Sequence, residues 1–173
     1  KTETIEDIIE KQIRIVCNTY IPIDSIESQW NAKELENDLL STYSIESNIN
    51  DEILNDKKLI PESIANKVVK IALNKYKQKY DSIGESVKLL EKQVMLQVLD
   101  VHWKEHLAEI DHLRNSIGLR AYAQKNPKNE FKREAYSMFE SMLDEIDSGT
   151  VRILFNLQIA KEESITNMKM DQN

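Results

Sequence analysis

With 173 residues, a formal charge of -7 and 40% apolar residues, the chain is long enough to bury a core and too acidic overall to attract nucleic acid as a whole. Only 3 Gly and 3 Pro occur, which argues against a multi-stranded sheet; abundant Glu, Lys, Leu and Ile favour long helices. No apolar run approaches the roughly 18 residues of a membrane span, the opening residues carry no signal-peptide pattern, and the single Cys17 excludes an internal disulfide, making a reducing compartment the default.

Residues 2–20 set Ile5, Ile8, Ile9, Ile13 and Val16 at helical spacing, with Thr2 or Thr4 available as a cap. Ile15 and Val16 beside Cys17 predict a partly buried thiol rather than a catalytic one. A chain that starts at Lys1 inside such a pattern is expected to be a fragment of something longer. Pro22 pushes Ile21 out of the helical region and ends the helix. Asn31 and Glu34 have capping-box spacing for a helix to about Leu40. Residues 44–56 are loop-like, with one short helix expected at 51–55. Pro61 opens a clearer helix bearing Ile64, Val68, Ile71, Leu73 and Tyr76.

From Glu85 to about Ile117 the apolar positions Leu96, Leu99, Trp103, His106, Ile110, Leu113 and Ile117 step by three and four, with Gly118 as the expected stop. A linker, Leu119–Lys125, leads to Asn126-Pro127, a cap and a first-turn proline. A second long helix carries Phe131, Ala135, Met138, Met142, Ile146, Ile153 and Leu157, and residues 147–150 are expected to interrupt it. Two long helices on a short linker pack antiparallel, because that buries both stripes. Trp103, His106, Ile110 and Leu113 facing Met138, Met142 and Ile146 form the expected seam. The tail 161–173 is polar and expected to be disordered. The fold class is therefore all-α, a long antiparallel two-helix hairpin with a smaller helical subdomain.

The chemical motifs are few. His102-Trp103-Lys104-Glu105-His106 has the H-x-x-E-H spacing of the inverted zinc peptidases. His106 occupies a step of the apolar stripe, however, and His112 points elsewhere. A third ligand is not marked, so neither a metal site nor a catalytic residue is expected. None of Gly84, Gly118 and Gly149 belongs to a phosphate-binding loop. The one basic cluster is at 120–133, where Arg120, Lys125, Lys128, Lys132 and Arg133 meet Glu130 alone, with Tyr122 beside them. Bases with an aromatic would suit single-stranded nucleic acid, but the acidic remainder argues against it.

The run Val94–Asp100, then Trp103-Lys104-Glu105-His106-Leu107, Leu113-Arg114, "LRAYAQKNP" and "EFKREAYSMFESML" closely resembles SecA, the family of bacterial preprotein translocase motor ATPases. The likeness is strongest over 94–146 and extends more weakly over nearly the whole chain. It implies that 1–21 end a scaffold helix, 22–83 form a helical wing, and 84–160 form a two-helix finger. It also implies a fingertip at Tyr122, flanked by Arg120, Gln124, Lys125 and Lys128, that contacts preprotein and channel. The implied partners are the SecYEG channel, unfolded preproteins and the protein's own motor domains; the basic tip is compatible with anionic lipids, and the resemblance is compatible with a homodimer. ATP and Mg would belong to the intact parent, with no cofactor in this stretch. The implied location is the bacterial cytoplasm and the cytoplasmic face of the inner membrane. The family pattern does not require a histidine at position 102, which reads the two-histidine motif as packing. The alternative is a free-standing helical coiled-coil interaction module, distinguished by concentration-dependent dimerisation without affinity for a translocase motor.

Overall fold

The structure, a computed structural model, describes residues 2–120 and 126–159, with the backbone alone at Arg120. Its order is α1 (Ile5–Tyr20), α2 (Ala32–Tyr43), α3 (Ile49–Asn55), α4 (Pro61–Tyr80), α5 (Ser86–Arg120) and α6 (Pro127–Asn156), with two short 3-10 turns. Among the described residues there is no strand, so the all-α expectation holds. No helix there is long and apolar enough to cross a membrane.

Local chemistry sets the boundaries. Thr4 caps α1: its Oγ1 accepts from the Asp7 N–H at 3.2 Å, while its own N–H donates to Asp7 Oδ2 at 2.9 Å. Pro61 stands at the first turn of α4, and the Ile60 N–H donates to Ser63 Oγ. Asn31 differs from its expected role. Its side chain caps nothing; instead its N–H donates to the Tyr20 carbonyl at 3.0 Å, which turns α2 back toward α1. That bond satisfies a carbonyl at the end of α1, a more pressing need than a box at an exposed helix start. Helix α2 runs past Leu40 to Tyr43 and ends at Ser44 in the left-handed region (φ 55°).

A single apolar core joins α1–α4 to α5 as far as Val98 and to α6 from Met142 onward. Ile9, Ile13, Leu35, Leu39, Ile45, Val68, Val151 and Leu154 are completely buried at its centre. On α4 the inward stripe is Ile64, Val68, Val69, Ala72, Tyr76 and Tyr80, whereas Ile71 is exposed. Cys17 lies in this core, and burial pushes its thiol up to about 12.

Helices α5 and α6 run antiparallel: Val98 lies against Gly149, His102 opposite Glu145, and His106 near Phe139. Two expected breaks are absent. Helix α5 continues through Gly118 to Arg120, and α6 continues through 147–150 to Asn156. Gly149 has a different reason. A Cβ there would sit 3.0 Å from Val98 Cγ1, so the glycine lets α5 come close.

The register of α5 also differs from expectation. Val94 and Val98 are buried and Leu96 is exposed. Neighbouring residues on a helix lie about 100° apart, and the near four-residue steps 94, 98, 102 and 106 are the line that faces α6. Leu96 and Trp103 fall off that line.

Candidate functional site

The region with functional potential is the hairpin, and its base is fixed by specific bonds. The Tyr76 hydroxyl donates to Glu91 Oε1 at 2.6 Å inside the core, tying α4 to the first turns of α5. The Tyr80 hydroxyl donates to the Leu154 carbonyl, and Lys79 Nζ donates to the Phe155 carbonyl at 2.7 Å, tying α4 to the end of α6. Burial pushes the Tyr76 phenol up, aided by the Glu91 hydrogen bond; burial likewise raises Tyr80 to about 12 and lowers Lys79. From α1, Lys11 reaches Asp144 at 3.4 Å and Asp147 at 3.2 Å on α6. The hydrogen bond to Asp147 is the main reason the Lys11 ammonium is held above its ordinary value. These clamps join residues distant in sequence, so no periodicity marks them.

Beyond the base, among the described residues, α5 and α6 pack chiefly on each other. His106, Leu113 and Ile117 are buried there, and Ile110 and Met138 are half-buried, whereas Met142 and Ile146 still belong to the core. Trp103 is the exception among the expected seam residues. It keeps 43% of its surface exposed, because it lies one residue round from the inward line through His102 and His106. Its ring leans on the His106 ring, with centroids 5.7 Å apart, and the Phe139 ring centroid lies 6.0 Å from that of His106. A two-helix seam is too narrow to cover a whole indole. Leu107, Tyr136 and Leu143 are exposed for the same reason.

The tip is described in part. Lys128 is exposed in the first turn of α6, behind the Asn126 cap, whose Oδ1 accepts from the Asn129 N–H at 3.4 Å. Tyr122, Gln124, Lys125 and the side chain of Arg120 lie outside the described residues, as does the tail 161–173.

Midway along the hairpin, His102 faces α6, where Glu145 Oε2 lies 3.1 Å from its Nδ1; Glu105 Oε2 lies 3.6 Å away on the same helix. The H-x-x-E-H spacing contains His102 and Glu105, but nothing in the sequence marks Glu145 as their neighbour. Glu145 becomes visible only when the hairpin closes.

The family model of the SecA Wing and Scaffold domain matches residues 1–158. The "Protein translocase subunit SecA" of Psychrobacter cryohalolentis is 39% identical over 171 residues, which is 98% of this chain and 18% of that relative. The chain thus spans less than a fifth of the length of that curated relative. A helical bundle feeding one long antiparallel hairpin agrees with that match, and the chain belongs to the SecA wing and scaffold domain family.

Proposed function

We propose that this chain is the scaffold, wing and finger portion of a SecA-like, ATP-driven protein translocase, and that it acts as a lever without a nucleotide site of its own. In this reading 1–21 end the scaffold helix, 22–83 are the wing, and 84–160 are the finger. ATP and Mg bind elsewhere in the parent, and the parent's motor domains move this portion. The observation that carries the reading is the contrast along the hairpin. Its base is clamped by Tyr76, Lys79, Tyr80 and Lys11, while its outer half carries only a two-helix seam.

A helix of 35 residues extends about 50 Å at 1.5 Å per residue. Its backbone bonds are internal, so a displacement at the clamped base is delivered to the far end. A tip that handles many polypeptides needs contacts tolerant of sequence. Tyr122 offers apolar area and a hydroxyl without demanding one geometry. Arg120, Gln124, Lys125 and Lys128 add donors for acidic channel loops or anionic headgroups, each base contributing about 1 kcal/mol near a charged membrane. Partners on this reading are the SecYEG channel and unfolded preproteins, with the bacterial cytoplasm and inner-membrane face as the place of work.

A photo-crosslinking residue at position 122 of the intact parent, with a stalled secretory substrate and ATP, tests the proposal. Adducts to substrate or channel are expected. Full transport activity with no adduct would reassign the hairpin to internal regulation. Charge reversal of Lys125 and Lys128 should weaken channel or membrane binding; unaltered binding counts against the basic tip.

A further inference from the structure

Nδ1 of His102 is shielded from solvent and makes no hydrogen bond, although two carboxylates crowd it. Glu145 Oε2 approaches to 3.1 Å from α6 and Glu105 Oε2 to 3.6 Å from the next turn of α5. A hydrogen-bonded pair aims donor at acceptor. Ligands of a shared ion aim at a common centre, and are misaligned with one another. Zinc holds N and O ligands at about 2.0–2.1 Å, which places neighbouring tetrahedral ligand atoms about 3.3–3.4 Å apart. The two separations bracket that distance, and the ligand atoms of all three residues lie within 4.8 Å of one another.

The surroundings agree. The three side chains line one cleft of about 240 Å³ between the helices, and His106 lines it too. His106 is 7% exposed, and its Nδ1 is also without a partner. An unpaired buried imidazole nitrogen costs free energy, and two adjacent carboxylates repel. A cation in the cleft offsets the repulsion and gives an imidazole lone pair something to bind.

We propose that His102, Glu105 and Glu145 form a site for one borderline divalent transition-metal ion, best matched by Zn2+, which staples α5 to α6 near the middle of the hairpin. One imidazole with two carboxylates suits Zn2+ better than Mg2+, which prefers oxygen ligands and retains its waters. Glu105 and Glu145 leave 64% and 62% of their side chains exposed, so the ion exchanges with solvent and water completes its shell. The role is mechanical: the bound ion resists sliding of the two helices past each other. The site stands whether or not the hairpin acts as a translocase finger.

Isothermal titration of the full chain with Zn2+ tests this. One equivalent should bind, and the thermal midpoint should rise with Zn2+ and return with chelator, while Mg2+ gives no comparable shift. Loss of even an outer-shell partner lowers metal affinity about 10–100-fold, so Glu145→Gln, at an exposed position, should weaken binding about tenfold or more. Glu109→Gln, in the same cleft but outside the ligand set, and His112→Asn, exposed elsewhere on α5, should leave binding unchanged. Absence of stoichiometric binding, unweakened binding by Glu145→Gln, or an equal loss in either control overturns the site.

Discussion

At the base of the molecule Ile9, Leu35 and Leu154 are entirely withdrawn from solvent; halfway out along the hairpin Trp103 keeps 43% of its surface exposed. The residues are comparably apolar, and the difference lies in how many elements surround them. At the Leu154 end of α6, α2 and α4 close in: the Tyr43 and Tyr76 rings pack against Phe155, and the Tyr80 hydroxyl donates to the Leu154 carbonyl. Around Trp103 there is one partner helix, and a cylinder touching one cylinder buries only a stripe. The same pair of helices is thus core at one end and buries only a single seam at the other. Stability is concentrated at the base, and the outer hairpin supplies reach.

That contrast can be broken by substitution. Leu35→Ala or Leu154→Ala should cost about 2–5 kcal/mol in urea unfolding, because the packed base cannot collapse around the void. A loss under about 1 kcal/mol at both sites would mean that the base is loosely packed. Tyr76→Phe is next: it leaves Glu91, buried among apolar groups, without its phenol donor, for about 1–3 kcal/mol. Trp103→Ala should cost roughly 1 kcal/mol, not the 3–5 kcal/mol of a buried ring. A cost at the higher figure would place the indole in a seam, against the exposure found here.

Gly149 sharpens the comparison at the junction of the two regions. Alanine in a helix interior is ordinarily better than glycine by about 0.5–1 kcal/mol. Here the added Cβ meets Val98, so Gly149→Ala should give that gain only in a Val98→Ala background. A double-mutant cycle should show coupling of at least about 0.5 kcal/mol, and simple additivity would deny the close approach. The last effect is on pH, and it is absent at neutrality. Cys17 in the base is raised by burial from 9.0 to about 12, so the native state holds its proton where the unfolded chain has lost it. Stability is therefore full below pH 9 and falls as pH rises toward 12. Tyr80 adds in the same direction, and Cys17→Val should make the alkaline slope shallower.

Much of this organisation was legible from residue spacing. The Thr4 cap, the stop before Pro22, the opening of α4 at Pro61 and the Asn126-Pro127 start of α6 are local chemistry, and each lies where the sequence puts it. The helical pairing was legible because two long apolar stripes on a short linker have one economical arrangement. What was not legible depends on rotation and on distant partners. Over a helix as long as α5, steps of three and four admit neighbouring stripes, and Leu96 and Trp103 belonged to the wrong one. Gly118 and Gly149 resemble breaks locally, yet the second is a contact with Val98 that no local rule contains. The pairings Tyr76–Glu91, Tyr80–Leu154 and His102–Glu145 require the folded chain. The fingertip, with Tyr122 at its centre, was reached only through the resemblance.

The central claim, a firmly held base carrying a hairpin supported by one seam, is tested most directly by native-state hydrogen exchange. Amides of α1, α4 and the last turns of α6 should exchange only with global unfolding. Those of α5 and α6 between about Leu107 and Phe139 should exchange through a smaller opening of lower free energy. Uniform protection along the whole length of α5 would contradict the account, because the hairpin would then be held as tightly at its far end as at its base.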